Sequence, residues 1–384
     1  MTDSNRTQFG KARFGIDRRR FIQSSVMAGA AIAATTGLDP ITVSRALADT
    51  KLSGPLLISN WPFYIGKTTV SDFQTQFGID VKYVEDINDN DSLFGKIAGP
   101  LQMGQNPGRD IIVPTDYMVG RLIKLGWLDK FSHAEVPNAK NIQAALAHPS
   151  WDPNREYSLP WATYLTGVAY NIKKTGRELT SINDIYDPAF KGHVGMLSQM
   201  RDTLALVFLG MGIDPAKATY SDAEAAVNKL KDNVANGQIR QFYGNDYGAA
   251  LSRGDIWVTF AWSGDVVQLQ ADNPDLRFLF PKEGLYRSDD NMVMPLNPPH
   301  RDAALAWMNY IYDPKIYAKM VPTIQYISPV AGTEPYVKEL APALLTNPLV
   351  YPTPVEFANM HEFVLLTAQE DQQWSSLFDT LIGH

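Results

Sequence analysis

The stretch Ile256-Trp257-Val258-Thr259-Phe260-Ala261-Trp262-Ser263-Gly264-Asp265-Val266-Val267 changes character halfway along its length. Its first half is an apolar, β-branched and aromatic run, which is typical of a buried β-strand. The Ser-Gly-Asp that follows the second tryptophan is typical of the start of a helix. A buried strand that leads directly into a helix is the repeated step of an α/β fold. This stretch therefore predicts an α/β protein.

The same stretch carries side chains that suit an organic cation. The ring of Trp262 and the carboxylate of Asp265 follow one another closely at the end of the predicted strand. An ammonium group gains about 0.5–2 kcal/mol against an aromatic face, and a carboxylate neutralises its charge. From these residues alone a second interpretation stays open, in which Trp262 is a core side chain and Asp265 caps the helix.

Strand and helix patterns alternate along most of the chain. The first predicted elements are strands at 56–60, 79–84 and 109–114 and helices at 67–77 and 93–101. The same alternation resumes at 164–172, 181–198, 203–212, 222–235 and 256–271. This spacing is typical of βαβ units over a mainly parallel sheet.

The C-terminal part of the chain follows a different pattern. Several prolines between residues 335 and 354 predict an extended, irregular connection, because proline disrupts helices and sheets. Residues 369–382 then predict an amphipathic helix with a structural role. Its apolar face has the spacing i, i+3, i+4, i+7 and consists of Trp374, Leu377, Phe378 and Leu381.

The first 48 residues have the features of an export signal. Arg18-Arg19-Arg20-Phe21-Ile22 matches the twin-arginine pattern, a small apolar segment covers 26–34, and Ala46-Leu47-Ala48 forms a cleavage-site pattern. We expect residues 1–48 to be a twin-arginine signal peptide, and the mature protein to work in the periplasm or elsewhere in the cell envelope. No later segment has the ~20 uninterrupted apolar residues of a membrane helix, so the mature protein is not expected to be membrane-embedded.

Composition argues against several classes of protein. The 384 residues carry a formal net charge of −7, which disfavours nucleic acid as a partner and suits a cationic ligand. There is no cysteine, which excludes disulfides and thiol chemistry. The histidines lack metal-binding spacing, and no nucleophile elbow or nucleotide-binding glycine loop is present. We therefore expect no metal and no cofactor. These patterns give no support for enzymatic activity, although they do not exclude it.

Several motifs follow the predicted strands in a fixed order. They are N-W-x-x-Y at 60–64, V-P-T-D-Y at 113–117, W-x-G-D at 262–265, P-x-E-G at 281–284 with D-N-M-x-x-P at 290–295, and a tyrosine segment at 325–330. Together they resemble the spermidine/putrescine-binding proteins of polyamine ABC importers. The resemblance covers about residues 52–383, and its strength lies in order and spacing more than in any single motif.

This resemblance implies a two-lobed periplasmic-binding-protein fold of type II, in which hinged lobes with mainly parallel central sheets close on a ligand. Lobe 1 would comprise residues 51–163 and 289–334, and lobe 2 residues 164–288 and 335–384. It also implies a small polyamine as ligand, an ABC permease in the membrane as partner, and a monomer.

The resemblance further implies a set of ligand-binding residues in the cleft. The aromatic walls would be Trp61, Tyr64, Tyr117, Trp262 and Tyr326. The ammonium partners would be Asp202, Asp265 and Asp290, and Thr115 belongs to the same set. Asp116 is a fourth candidate acid; an equal alternative is that it caps the helix beginning near Tyr117.

Three positions depart from the family pattern. Phe63 and Gln199 stand where the family has acids, and Ser288 stands where it has an aromatic residue. With these groups absent, a shorter diamine such as putrescine, a monoamine-like cation or a related amino compound fits the remaining acids better than the trivalent spermidine.

Two other functions stay open from the sequence. In one, an anionic or zwitterionic solute is recognised by Arg201, Arg240 or Arg287 in the same fold. In the other, an exported hydrolase uses paired carboxylates such as Asp202 and Asp265.

Overall fold

The computed structural model describes residues 52–382, so the export signal predicted for residues 1–48 lies outside the described residues. The strands of this range are β1 (Leu56–Asn60), β2 (Val81–Glu85), β3 (Ile111–Ile112), β4 (Leu128–Asp129), β5 (Ser158–Asn171), β6 (Val194–Leu197), β7 (Ile239–Tyr243), β8 (Val258–Trp262), β9 (Leu276–Leu279), β10 (Leu285–Pro295) and β11 (Met360–His361).

Helices connect most of these strands. The α-helices are α1 (Thr69–Phe77), α2 (Asn90–Gln102), α3 (Asp116–Lys124), α4 (Ile172–Thr175), α5 (Met200–Gly210), α6 (Tyr220–Ala235), α7 (Tyr247–Arg253), α8 (Ser263–Asp272), α9 (Arg301–Ile311), α10 (Pro314–Ile324), α11 (Glu334–Leu340), α12 (Pro354–Ala358) and α13 (Ala368–Ile382). Short 3₁₀ helices lie at Pro137–Asn141, Ala144–Leu146, Ile182–Tyr186, Pro188–Phe190, Pro215–Lys217 and Pro342–Thr346.

The sheet has two parallel groups of strands joined by two long antiparallel strands. Its order is β2-β1-β3-β10-β5-β8-β6-β7, with β4 and β11 paired to β10 and β9 paired to β5. Strands β2, β1 and β3 run parallel, as do β8, β6 and β7. Between them, β10 is antiparallel to β3 and β5, and β5 is antiparallel to β8. The expectation of parallel sheets therefore holds for the outer groups, and the centre of the sheet is antiparallel.

Strands β5 and β10 are paired across the middle of the sheet and carry an irregularity. Asp289 lies opposite Thr163 and Asp290 opposite Ala162, but Asn291 lies opposite Pro160. Trp161 is therefore an extra residue on β5, which is the arrangement of a β-bulge. A bulge also tolerates the missing amide hydrogen of Pro160.

The sequence prediction placed the start of this strand near residue 164, whereas β5 begins at Ser158. The turn-forming residues before it, together with Pro160, obscure a strand whose residues are all buried.

Each parallel group is covered by its own apolar packing. On one side, Phe73 of α1 packs edge-on against Trp307 of α9, with ring centroids 5.0 Å apart. On the other side, Phe208 of α5 packs edge-on against Trp374 of α13 at 6.0 Å. Burial of apolar side chains, including such rings, is the dominant favourable contribution to the free energy of folding.

The C-terminal predictions had mixed outcomes. The amphipathic helix is confirmed as α13, which buries Trp374, Phe378 and Leu381 and leaves Leu377 half-buried. The irregular connection predicted for 335–354 is wrong over most of its length, because α11 and the 3₁₀ helix Pro342–Thr346 occupy it. Both helices have proline in their first turn, where the missing amide hydrogen costs no helical hydrogen bond. Within residues 52–382, no helix is long and apolar enough to cross a membrane.

Candidate ligand-binding site

A cleft lies beyond the carboxyl ends of strands from both parallel groups, which is where open α/β sheets place their ligands. Trp61 follows β1, Thr115 follows β3, Gln199 follows β6, and Trp262 ends β8. The empty volume of the cleft, counted to its mouth, is about 620 Å³, within the usual range for small-molecule sites. Its lining residues are Trp61, Pro62, Phe63, Tyr64, Asn90, Thr115, Tyr117, Tyr164, Gln199, Asp202, Asn245, Trp262, Asp265, Asp290 and Tyr326.

Nine of the ten residues proposed from the sequence line this cleft, and Asp116 does not. Asp116 is the first residue of α3, and its carboxylate turns toward β10. It accepts hydrogen bonds from the amide of Asp289 at 3.1 Å, the side-chain amide of Asn291 at 2.8 Å and the hydroxyl of Ser288 at 3.3 Å. Its hydrogen bonds therefore tie α3 to β10, and it caps no helix. Burial, reinforced by the neighbouring Asp289 carboxylate, raises the pKa of Asp116 to about 7.

The carboxylate of Asp290 is held by two hydroxyl groups. Thr115 donates from Oγ1 to Asp290 Oδ1 at 2.8 Å, and Tyr64 donates from its phenol to Oδ2 at 3.0 Å. Asn90 in turn donates from Nδ2 to Thr115 Oγ1 at 2.9 Å, which orients that hydroxyl group. Burial raises the pKa of Asp290 to about 8.

Asp202 is held by the same tryptophan that the sequence singles out. The indole Nε1 of Trp262 donates to Asp202 Oδ1 at 2.9 Å, and Thr166 Oγ1 donates to the same oxygen at 2.6 Å. Trp262 therefore forms part of the cleft wall and also fixes an acid there. Burial raises the pKa of Asp202 above its ordinary value.

Asp265 accepts hydrogen bonds from two phenols. Tyr326 donates to Oδ1 at 2.7 Å and Tyr247 to Oδ2 at 2.9 Å, and burial raises the pKa of this acid too. Asp265 lies in the first turn of α8, but its side chain makes no cap hydrogen bond there. The helix-cap interpretation required backbone amides to donate to this carboxylate, and two phenols donate to it instead.

The cleft lining has three acids, the buried Asp202 and Asp290 and the partly buried Asp265, and no basic side chain. None of its lining residues is Lys, Arg or His. Desolvation is the largest cause of the raised pKa at each acid, because removal from water penalises the charged form of a carboxylate. A cation bound beside one of these acids would offset that penalty at that acid. The site is therefore electrostatically suited to a positively charged ligand.

Aromatic rings enclose the acids. The rings of Tyr64 and Tyr326 meet edge-on with centroids 5.0 Å apart. Tyr117 also lines the cleft, and the guanidinium of Arg201 lies 3.6 Å from its ring centroid. Arg201 forms an ion pair with Asp371 and is not among the cleft residues. One face of Tyr117 is thus already occupied by a cation of the protein itself.

Several lining residues were missed from the sequence. Tyr164 lies within a strand whose inward-facing positions could not be read from its pattern, because both faces are buried. Asn90 belongs to the polar run 86–91, and Asn245 lies between β7 and α7, so neither has a local signal for ligand binding. Phe63 and Gln199, which stand where the family has acids, do line the cleft. Within the described range, no cluster of His, Asp and Glu side chains is arranged to hold a metal ion.

The chain is similar to characterised polyamine-binding proteins over most of its length. It is 28% identical to the putrescine-binding periplasmic protein PotF of Escherichia coli over 352 residues, which is 86% of this chain and 89% of that protein. It is 25% identical to the spermidine/putrescine-binding periplasmic protein of the same species over 312 residues, 81% of this chain and 86% of that protein.

Solved structures share its fold. The substrate-binding protein PotD of the Streptococcus pneumoniae spermidine/putrescine ABC transporter superposes with a TM-score of 0.72 at 22% identity, covering 86% of this chain and 98% of that one. The Tp0655 (TpPotD) lipoprotein of Treponema pallidum gives a TM-score of 0.74 at 19% identity, covering 86% and 100%. Both have the two-lobed periplasmic-binding-protein fold of type II, which is the fold that the sequence predicted for this chain. The family model for bacterial extracellular solute-binding proteins matches residues 68–341, and the chain belongs to that family.

Proposed function

We propose that this protein binds a small polyamine, putrescine or a similar diamine, in the cleft described above and delivers it to an ABC importer. The observation that carries the proposal is a set of three acids among aromatic rings, the buried Asp202 and Asp290 and the partly buried Asp265, with no basic side chain in the cleft lining. The names of the similar proteins support the same class of ligand.

The chemistry of a diamine matches this site. Its amines have pKa values near 10, so both ends are charged at neutral pH. Aromatic walls cover the methylene groups, worth about 0.8 kcal/mol for each buried CH₂. The carboxylates neutralise the ends, since burying an unpaired ammonium costs several kcal/mol. Micromolar affinity requires only about −8 kcal/mol, which two paired ends and a buried tetramethylene chain can supply.

The number of acids favours a diamine over a triamine. Phe63 and Gln199 line the cleft without charge, and Ser288 lies outside it, where its hydroxyl donates to Asp116. A third ammonium would therefore meet fewer carboxylates than the polyamine-binding pattern provides.

The proposal includes the way the protein works as a carrier. Residues 51–163 with 289–334 form one lobe, residues 164–288 with 335–384 form the other, and the chain crossings in β5 and β10 act as the hinge. After export by the twin-arginine route, the protein works outside the cytoplasm as a monomer. The closed, ligand-bound form is the one presented to the membrane permease. The ligand is released without being chemically changed.

Isothermal titration calorimetry of the mature protein tests the ligand class. Putrescine, cadaverine and spermidine are compared with γ-aminobutyrate, succinate and glucose. We expect the diamines to bind best and the neutral and anionic solutes not to bind. Asp265→Asn should weaken putrescine binding by several kcal/mol, because it leaves an ammonium without its partner. A flat response to all amines at millimolar concentration would reject the proposal.

The alternatives give different results in the same experiments. An anionic solute would need a basic side chain in the cleft. Arg201 forms an ion pair with Asp371 and Arg287 with Glu362, and neither arginine lines the cleft. Binding of such a solute would survive Asp265→Asn. For a hydrolase, prolonged incubation would convert the ligand, whereas the proposed carrier returns it intact.

A further inference from the structure

Asp116 occupies a place that neither ligand binding nor helix capping explains. It lies between Thr115 and Tyr117, which both line the cleft, yet its own carboxylate is absent from the cleft lining and is directed at β10. There it accepts the backbone amide of Asp289 and the side-chain amide of Asn291. These are the two residues on either side of Asp290.

We propose that Asp116 is a positioning residue. It sets Asp290 in its ligand-binding geometry by accepting hydrogen bonds from Asp289 and Asn291, the two neighbours of Asp290 in the chain. This inference rests on the proposed function, since it assumes that Asp290 binds the ligand.

The backbone at this point needs external support. The register between β5 and β10 shifts between Asp290 and Asn291, so regular strand pairing does not fix the direction of the Asp290 side chain. On the other edge of β10, the one that faces β3, the amide of Asn291 donates to the carbonyl of Pro114 at 2.8 Å, just before Thr115 and Asp116. The segment 114–116 therefore supports β10 from the edge opposite to the one where the bulge interrupts its pairing with β5.

Two N–H groups face Asp116, and the ionised carboxylate supplies an acceptor oxygen to each of them. Arg155 donates from Nη1 to Asn291 Oδ1 at 2.9 Å, and this fixes the orientation of the Asn291 amide. Asn291 Nδ2 must then donate to Asp116 Oδ1, while the amide of Asp289 donates to Oδ2. An asparagine at position 116 can accept only one of these two hydrogen bonds with its oxygen, and its NH₂ group meets a donor on the other side. Asp116→Asn is therefore a nearly isosteric test of the proposal.

A double-mutant cycle separates positioning from general structural support. The variants are Asp116→Asn, Asp290→Asn and the double variant, each measured for putrescine affinity by calorimetry and for stability by urea unfolding. We expect Asp116→Asn to weaken putrescine binding by about tenfold to hundredfold, the range found when the outer hydrogen-bond partners of metal ligands are removed. In the Asp290→Asn background the same change should alter affinity less than about twofold, because the residue through which it acts is already lost.

Asp110→Asn is the matched control. Asp110 precedes the same strand β3, is fully buried, and also accepts two backbone amides, from Leu57 and His300. It should lower stability and leave the putrescine affinity within about twofold of wild type. If Asp116→Asn behaves like this control, or loses the same factor with and without Asp290, the inference is wrong.

A crystal structure of ligand-free Asp116→Asn gives a test that does not depend on the ligand. We expect the 289–291 segment to shift and the hydrogen bonds from Tyr64 and Thr115 to Asp290 to lengthen or break. An unmoved Asp290 carboxylate would overturn the inference and leave the proposed function standing. Absence of amine binding by the wild-type protein would overturn the proposed function, and the positioning role with it.

Discussion

Tyr326, which lines the cleft, lies in direct contact with Gly264, and this contact leaves no room for a side chain on Gly264. A β-carbon at Gly264 would lie 2.3 Å from Cε2 of Tyr326, and the phenol of Tyr326 donates to Asp265, the next residue, at 2.7 Å. Tyr326 follows α10 and Gly264 lies in α8, so the contact joins segments far apart in the chain. The close approach of ring and backbone requires glycine at this position.

Gly264→Ala should therefore displace Tyr326 and weaken ligand binding. Overpacking of this kind costs about 1–3 kcal/mol, so we expect putrescine affinity to fall by roughly tenfold to a hundredfold. Calorimetry measures the loss. Gly99→Ala is the control: a β-carbon there meets no atom within 4 Å, and alanine stabilises a helix interior, so affinity should be unchanged. Equal affinities for both variants would contradict the closed contact between Tyr326 and Gly264.

The raised pKa of Asp290 predicts how stability changes with pH. Its folded-state pKa is about 8, whereas an unfolded Asp titrates near 4. Between these values the folded state holds more protons than the unfolded state, so the ligand-free protein should lose stability as pH rises from about 4 to 8. Asp290→Asn should reduce this slope. Urea unfolding at pH 5, 7 and 9 measures it, and an identical slope in wild type and variant would contradict the prediction.

The same carboxylate predicts proton release on binding. An ammonium requires the charged form of Asp290, so at pH 7 the ligand must displace a proton from it. Putrescine affinity should rise between pH 6.5 and 8.5, where the amines remain protonated. Titrations in two buffers of different ionisation enthalpy should report release of protons at pH 7, and less release in Asp290→Asn. A binding enthalpy independent of the buffer would exclude this linkage.

Phe63 predicts how the ligand preference could be changed. Its side chain is 78% exposed at the cleft, and its backbone φ of 58° lies in the left-handed region that Asp and Asn adopt more readily. Phe63→Asp should improve spermidine affinity relative to putrescine by no more than about fivefold, because exposed ion pairs are worth at most about 1 kcal/mol. Phe63→Asn provides the same backbone preference without charge. A ratio that changes equally in both variants would rule out the charge as its cause.

Most of the strands and helices, and most of the residues that line the cleft, could be predicted from the sequence. Residues such as Thr115 and Trp262 end or follow strands, and the ends of those strands meet at one edge of the sheet. Asp290, which was assigned from the motif D-N-M-x-x-P at 290–295, lines the cleft. Thus the positions that depend on local pattern, or on motifs of the family, could be assigned.

The remaining features depend on pairing between distant segments. Asp116 points away from the cleft because successive residues in the first turn of a helix face directions about 100° apart, so its neighbours in sequence are a poor guide. The bulge at Trp161 exists only relative to β10, which is more than a hundred residues away. The hydrogen bond from the phenol of Tyr247 to Asp265 depends on the packing of α7 against α8, for which the sequence has no local signal.

The position of β10 has a consequence for the order of folding. This strand forms the centre of the sheet, between β3 and β5, yet it is made only after residue 285 of the chain. During synthesis, the first parallel group lacks the strand that joins it to β5 until most of the chain has emerged. Contacts of such long sequence separation slow folding, since the chain ends must be brought together before the pairing stabilises them. The cleft therefore cannot exist on a partly synthesised chain, and truncation before residue 295 should abolish it entirely.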